Sequence, residues 1–263
     1  MSAHALGPAQ SGPPAAAAPS RRYLFAIVYA AEARPCTSAG MDGQGISIIT
    51  EGRLAAVVSG LHGPRIRPER RNLAMHQEVL KQLLATATPL PMSFGIVAEN
   101  PGEVHQILRR NKRMFLEQLA QVAGKVEMGL RVTLDVPNIF EYFIDTHAEL
   151  RAARDRILGG ARPATQEEKI ELGRTFDRLL GEDRENFTVQ VESVLSPCCS
   201  GTQANKCRNE REVMNLACLV RRDDQEGFEN AVFRAAQMFD NHFAFDYNGP
   251  WAPHNFVEIS LAP

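Results

Sequence analysis

The segment that most constrains the fold lies near the C-terminus, where residues 243–261 read FAFDYNGPWAPHNFVEISL. Aromatic residues at alternating positions in its first half predict a strand. The sequence Asn248-Gly249-Pro250 predicts a break in that strand, and residues 255–261 predict a second apolar alternation after the break. Trp251, the only tryptophan, lies in the break between Pro250 and Pro253. Since proline restricts the backbone, we expect a loop of fixed shape that carries the largest aromatic side chain.

The first half of the chain predicts a β-rich unit with two covering helices. Residues 23–28 form an apolar strand, and residues 46–50 and 54–59 predict a hairpin around the turn Glu51-Gly52. A helix beginning near Glu69 has an apolar face and ends at two prolines, which also begin a short strand reaching Val97. That face and the two prolines comprise Leu73, His76, Leu80, Leu83, Ala87, Pro89 and Pro91. Asn100-Pro101 opens a second helix that Gly124 closes.

The second half has a more regular order of elements. Residues 126–136 alternate as a strand, and a helical region follows in two pieces, broken at Gly159-Gly160 and Pro163. Its second piece spans residues 166–195, and residues 213–220 predict a strand that pairs with the segment after Cys198. Asp223-Asp224 then caps a further helix. The order strand, helix, strand, strand, helix, strand is that of a ferredoxin-like unit.

We therefore predict an α+β fold of two domains, in which antiparallel sheets are covered by helices and the ferredoxin-like pattern is clearest in the C-terminal half. Residues 1–20 are rich in Ala, Pro, Gly and Ser and predict a disordered tail. Residues 21–124 form the predicted N-terminal α+β domain. Residues 125–263 form the predicted C-terminal ferredoxin-like domain, which contains a long helical insertion.

Composition excludes several functional classes. The chain has 263 residues, of which 44% are hydrophobic and 23% charged, as in ordinary globular proteins. Its net charge of −2 argues against a nucleic-acid-binding protein, which usually has a strong basic excess. No apolar run approaches the length needed to span a membrane, and the N-terminal tail lacks the features of a secretory signal. We therefore expect a cytoplasmic protein whose five cysteines are reduced thiols.

The reactive residue types do not form a recognisable catalytic or metal-binding pattern. Cys198-Cys199, Cys207 and Cys218 lack Cys-x-x-Cys spacing, and Cys218 fits the buried face of its strand. His76 lies on an apolar helix face, where a hydrogen-bonded core histidine is expected. The glycine-rich residues 40–45 lack the ending of a phosphate-binding loop. The sequence thus predicts no cofactor, no metal and no enzymatic activity.

Two motifs carry a resemblance to a known family. Residues 249–257, GPWAPHNFV, closely resemble the C-terminal signature of the gas vesicle protein F/L family. Residues 76–80 and 89–95, which contain His76, Pro91 and Phe94, resemble the family's histidine-containing helix and the strand start after it. A weaker match covers residues 210–220. The family often has Arg before the phenylalanine and Thr after the glycine; this chain has Ser93 and Ile96 instead, so no role for that Arg is carried over.

The resemblance implies a gas vesicle accessory or minor structural protein that supports vesicle assembly. Its implied partners are the main shell subunit, which is small and very apolar, and other accessory proteins, with no nucleic acid and no membrane. We expect reversible binding through sheet edges and the aromatic loop, in association with the gas vesicle. The alternative is a small-molecule-binding or enzymatic ferredoxin-like protein that uses His76, His254 and the cysteines.

The candidate partner-binding residues lie in the C-terminal loop and at the start of the strand after the first helix. They are Gly249, Pro250, Trp251, Pro253, Asn255, Phe256, Pro91 and Phe94. The same loop has two open interpretations. Trp251 either packs against its own domain and joins the last strands, or it belongs to a docking surface that loses little entropy on binding.

Overall fold

The computed structural model describes residues 20–63, 65–159 and 162–261. The predicted disordered tail therefore lies, apart from Ser20, outside the described residues. Two antiparallel sheets and the helices packed on them make up the described chain, so the predicted α+β class is confirmed.

The first sheet has strand order β2-β3-β1-β4, and the short strand β5 also pairs with β1. The predicted hairpin is present between β2 and β3, where Gly52 adopts the left-handed conformation that the tight turn requires. Only two-residue strands follow the first helix, in place of the continuous short strand expected there. The strands are β1 (Arg21–Tyr29), β2 (Ile46–Glu51), β3 (Leu54–Leu61), β4 (Leu90–Pro91) and β5 (Val97–Ala98).

Helices cover both faces of this sheet. The first helix, α1 (Arg70–Leu84), packs on the face that carries Tyr23 and Phe25. Helices α2 (Pro101–Arg110) and α3 (Lys112–Val122) pack on the opposite face. The prediction of one continuous helix here was wrong, because the helix is interrupted at Asn111, which has a non-helical ψ of 12°.

The predicted apolar face of α1 is only partly correct. Val79, Leu80 and Leu83 are buried against β1 and β3. Leu73, however, is 41% exposed, because it lies in the first turn of the helix, beyond the edge of the core. Ala87 is buried but follows the end of the helix.

The second sheet has strand order β7-β8-β6-β9 and is antiparallel throughout. Its strands are β6 (Lys125–Leu134), β7 (Cys199–Ala204), β8 (Glu212–Arg221) and β9 (Phe243–Trp251). The helices are α4 (Ile139–Thr146), α5 (Ala148–Leu158), α6 (Gln166–Leu195) and α7 (Gln225–Ala236). Alternate residues of β6 and β8 share one core with α6 and α7, so the long helices cover a single face. The element order is the predicted one, and the ferredoxin-like comparison stays a prediction.

Four local expectations in this half were wrong or only partly right. The helical region has three helices, since α4 and α5 are separate at His147, which has an extended backbone. Strand β9 does not break at Asn248 but continues through Trp251 along β6, with a shift of register. After it comes a short 3₁₀ helix, His254–Phe256, rather than a further strand. Asp224 is at the N-cap of α7, but its side chain makes no capping hydrogen bond.

The two sheets are joined through the face of the second sheet that its own helices leave uncovered. Leu219 projects from that face into the core beneath α2 and α3, where Phe256, Val257 and Leu261 of the chain end also pack. Arg222 donates hydrogen bonds to the backbone oxygens of Leu84 and Ala87, the latter at 2.6 Å. A division of the chain near Gly124, at the turn between α3 and β6, remains our proposal for the domain boundary.

Candidate functional site

The C-terminal loop, residues 249–256, begins where β9 bulges away from β6. The register shifts between the pairs Glu127–Trp251 and Gly129–Asn248. Gly249 has a φ of +131°, and a Cβ atom there would lie 2.8 Å from Met128 Sδ and 3.0 Å from the Glu127 backbone oxygen. Only glycine combines this backbone conformation with so close an approach to the neighbouring strand. The peptide bond to Pro250 is cis.

A buried carboxylate holds the far end of the loop. Glu127 is only 7% exposed and lies on the face of β6 opposite the helices. Its carboxylate accepts hydrogen bonds from the backbone nitrogen of Asn255 at 2.8 Å and from the Asn255 side-chain nitrogen at 2.6 Å. Burial raises the pKa of Glu127, and the two bonds from Asn255 oppose that rise. Asn255 therefore fixes the loop to β6.

The middle of the loop packs against the first sheet. Ala252 and Pro253 are buried, and Ala252 belongs to the core that contains Tyr23, Phe25 and α1. Phe256 is half-buried against the other core of the same sheet. The loop thus contacts both cores of the first sheet while it remains bonded to the second, so it joins the two halves of the molecule.

Trp251 is the largest of the loop residues that remain exposed, together with Gly249, Pro250 and His254. Its side chain is 42% exposed, whereas the two residues after it are buried. Its indole Nε1 donates a 2.7 Å hydrogen bond to Asn248 Oδ1, which itself lies close over Gly129. The ring is therefore held in one orientation and still presents a large apolar surface.

The structure places Pro91 and Phe94 differently from each other. Pro91 is buried in β4, paired with Ala26 of β1. Phe94 is half-buried at the rim of an aromatic cluster, 5.9 Å from the ring centres of both Tyr23 and His76. Phe94 thus belongs to the same hydrophobic core as Ala252 of the loop, whereas Pro91 is buried within the first sheet.

His76 is the hydrogen-bonded core histidine that the sequence predicts. It is 3% exposed, and its Nδ1 lies 2.8 Å from the hydroxyl of Tyr23. Burial lowers the pKa of His76 to about 4, with a smaller contribution from the charge of His254. Burial likewise raises the pKa of Tyr23 to about 12. At neutral pH both groups are uncharged, and because the imidazole also donates to the Met92 backbone, its Nδ1 accepts the hydrogen bond from the Tyr23 hydroxyl.

Of the residues in the alternative, enzymatic hypothesis, His76 and His254 lie close enough to interact electrostatically, but the cysteines do not join them. His76 lies in the core of the first sheet, whereas Cys198, Cys199 and Cys218 pack in the core of the second. The Sγ atoms of Cys198 and Cys199 are 3.9 Å apart, and burial raises the pKa of Cys198 to about 12, so the thiol form is favoured. Within the described ranges, no three His, Cys, Asp or Glu side chains are grouped so as to hold a metal ion.

A polar pocket of about 190 Å³ adjoins the loop on the uncovered face of the second sheet. Amide and charged side chains line it together with the indole of Trp251; among them are Glu127, Arg131, Asn205, Asn215 and Asn248. Arg131 is already paired with the buried Glu212, at 2.7 Å. The pocket therefore offers hydrogen-bonding groups beside an aromatic surface, an arrangement suited to contacts with a polypeptide.

Sequence reasoning missed the residue that fixes the loop, Glu127, and the residue that joins the two sheets, Arg222. Glu127 occupies a position in β6 that alternation assigns to the surface, and only the three-dimensional packing of the chain end buries it. Arg222 follows β8, and nothing in the neighbouring sequence signals its bonds to residues more than 130 positions away.

No helix in the described part of the chain is both long and apolar enough to cross a membrane.

Comparison with known proteins agrees with this geometry. The family model described as gas vesicle synthesis protein GvpL/GvpF matches residues 21–258. Gas vesicle protein F of a Streptomyces species is 29% identical over 82% of this chain and 89% of its own length. The corresponding protein of a Nostoc species is 27% identical over 90% of this chain and 98% of its own.

A solved structure shows the same architecture. The crystal structure of gas vesicle protein GvpF from an Anabaena species superposes with a TM-score of 0.79, at 26% identity, over 92% of this chain and 99% of that one. The family match spans nearly all the described residues, including the loop that contains Trp251. The chain therefore belongs to the GvpL/GvpF family of gas vesicle synthesis proteins.

Proposed function

We propose that this protein is a non-enzymatic accessory or minor structural component of gas vesicles that binds the main shell subunit during assembly. A small, very apolar subunit is prone to aggregate before it is incorporated into a shell. A cytoplasmic partner that covers part of its surface reversibly would keep it available for assembly. Family membership supports the connection with gas vesicles.

The observation that carries the proposal is the contrast within the loop. Ala252, Pro253 and Asn255 are held by the two halves of the molecule, whereas Trp251 is left 42% exposed. An aromatic side chain on a preformed backbone pays little conformational entropy on binding, and tryptophan is enriched among the residues that dominate interface energies. In the proposed contact, Trp251 is the anchor, and Asn248, which holds its indole, lies beside it.

In this proposal the two interpretations of the loop, a structural role and a docking role, apply to different residues. Gly249, Pro250, Pro253 and Asn255 shape and fasten the loop, and Trp251 makes the contact. Pro91 takes no part, because it is buried.

Co-expression with the main shell subunit tests the proposal. The tagged full-length protein is captured and washed, and the shell subunit in the eluate is quantified against a tagged, unrelated α+β protein. Specific retention is the expected result. A well-folded protein that retains no more shell subunit than the control would contradict direct binding.

A further inference from the structure

Strand β7 is an edge of the second sheet whose outer backbone groups are free to pair. Among the described residues it has a strand neighbour on one side, β8. The backbone nitrogen of Asn205 donates to the backbone oxygen of Asn215 at 2.7 Å. Since hydrogen-bonded pairs alternate along an antiparallel ladder, Gln203 and Ala217, two residues earlier, form the next such pair. The intervening residues, Thr202 and Ala204, therefore direct their N–H and C=O groups away from β8.

This edge lacks the usual protection against pairing. Natural edge strands carry charged side chains or prolines that discourage a further strand. Strand β9, at the other edge, contains Asp246 and Pro250, whereas β7 reads CSGTQA and has neither a charge nor a proline. A register shift between Cys199 and Gly201 limits the regular edge to the segment after it.

An apolar groove of about 460 Å³ flanks β7 on the side of α6. Thr202 faces this side, since its hydroxyl bonds to Glu192 of α6 at 2.7 Å, and Ala204 shares its direction. Val189 of α6 lines the groove and is 66% exposed, with Val213 and Met214 behind it. Because Val189 is so exposed, its side chain has room for a contact with a partner's side chain.

A polar groove of about 400 Å³ flanks the other side of the same strand. Gln118 and Gln121 of α3 line it together with Gln203 of β7. Gly201 faces this side as well, because a Cβ there would lie 3.6 Å from the ring of Phe256. The two sides of β7 thus offer environments of opposite polarity.

We infer that β7 accepts an added strand from the partner, an extended segment in which apolar and polar side chains alternate. Such a segment would pair with the outward backbone groups of Thr202 and Ala204. Its alternate side chains would enter the apolar groove beside Val189 and the polar groove beside Gln203. The inference rests on the proposed function, since the segment is assigned to the shell subunit, and it adds a second contact to the one at Trp251.

Two pairs of variants test the added strand in the full-length protein. Ala204→Pro removes an outward N–H without breaking a bond to β8, and an edge strand tolerates proline at such a position. Its matched control is Ala204→Ser, which keeps the N–H. Val189→Asp places a charge in the apolar groove, and Ile170→Asp, on the same helix but outside the groove, is its control. Circular dichroism and thermal unfolding establish that each variant is folded.

Retention of co-expressed shell subunit is then compared with that of the unmodified protein. We expect Ala204→Pro and Val189→Asp each to weaken binding by about tenfold or more, with both controls unchanged. Loss in Val189→Asp alone would overturn strand addition in favour of a helix-side contact. Equal retention by all four folded variants would also overturn it, while leaving the proposed function intact; no retention by the unmodified protein would defeat the proposed function instead.

Light scattering of the purified protein examines the remaining occupant, a second copy of the chain. A concentration-dependent dimer that Ala204→Pro abolishes would show that β7 pairs with itself, and would overturn the assignment to the shell subunit. A monomer in both proteins agrees with the inference.

Discussion

At the scale of single residues, Glu127 determines how the C-terminal loop is held. A carboxylate removed from water is costly unless hydrogen bonds compensate the lost hydration, and Asn255 supplies two of them. Either residue without the other leaves unpaired polar groups in a buried place. The position of Asn255 in the family signature is thereby explained by loop geometry, with no need for it to touch a partner.

His76 makes a pH-dependent contribution to stability. Its pKa is about 4 in the folded protein against an ordinary 6.5, so the unfolded chain takes up a proton first as the pH falls. The contribution of neutral His76 to the free energy of unfolding is therefore fully present above pH 6.5 and is lost as the pH falls toward 4. Since one pKa unit corresponds to about 1.4 kcal/mol, the loss is roughly 3 kcal/mol. Urea unfolding of the unmodified protein and of His76→Gln, whose amide oxygen still accepts from Tyr23, measures the difference. Parallel pH profiles for the two proteins would contradict the assignment.

Gly249 should not tolerate a side chain. Gly249→Ala strains a backbone with φ of +131° and places Cβ against β6, so we expect a loss of about 1–3 kcal/mol in the free energy of unfolding. Gly173→Ala is the control: it lies inside α6 with open space around it and should stabilise by about 0.5–1 kcal/mol. The account of the loop would be wrong if Gly249→Ala unfolded at the same urea concentration as the unmodified protein.

At the scale of secondary-structure elements, the sequence predicted element bounds best where the apolar repeat extends over many residues. The bounds of α6 agree with the apolar spacing over thirty residues that predicted it, and the structure shows a capping box at Thr165 and Glu168 where it begins. The break between α2 and α3 was missed because apolar spacing continues across Asn111. Strand β9 was ended too early, since an edge strand accommodates Pro250, which has no N–H to offer a neighbour.

The candidate site was predictable only in part. The segment with Trp251 stands out by its composition, and in the structure it forms a loop that leaves the tryptophan exposed. Which of its residues are buried depends on the first sheet, from residues more than 150 positions earlier, such as Tyr23 and Phe25. Alternation in β6 predicts that the Glu127 side chain points away from the core of its own sheet. In the structure it does, but the chain end covers that face, so the carboxylate is buried rather than solvated.

The start of α6 offers a test of local stability. The Thr165 side chain accepts a hydrogen bond from the Glu168 backbone nitrogen at 3.2 Å, and the Glu168 carboxylate accepts one from the Thr165 backbone nitrogen at 2.8 Å. Thr165→Ala removes this cap and should cost about 0.5–2 kcal/mol. Amide hydrogen exchange should speed up in the first turns of α6 and stay unchanged near Leu195. Uniform protection along the whole helix would contradict a local capping role.

At the scale of the whole molecule, the two halves are fastened by Arg222 and by the chain end. Arg222→Ala removes hydrogen bonds from a guanidinium to backbone oxygens after α1, and we expect a loss of about 2–3 kcal/mol and a broader or divided calorimetric transition. Arg221→Ala, which removes only the ion pairs of an exposed arginine with Asp223 and Asp224, should change little. A single sharp transition at an unchanged temperature in Arg222→Ala would argue that the halves are held without this residue.

The same fastening gives the molecule its proposed function. Because the loop is fixed at Gly249, at Asn255 and by the burial of Ala252 and Pro253, the indole of Trp251 is presented without the support of a partner. The proposed surface has two parts that suit an apolar protein subunit. One is the rigid indole of Trp251 beside the polar pocket, and the other is the unprotected edge of β7.

The most direct test is the affinity of the purified protein for the main shell subunit, compared between the unmodified chain and Trp251→Ala. We predict that the variant keeps its melting temperature within a few degrees and binds at least about thirtyfold more weakly, as expected for an interface anchor worth 2 kcal/mol or more. Phe233→Ala, which truncates an even more exposed aromatic residue on α7, serves as the control and should bind normally. Unchanged affinity together with a clearly lower melting temperature in Trp251→Ala would contradict the account and make the tryptophan a purely structural residue.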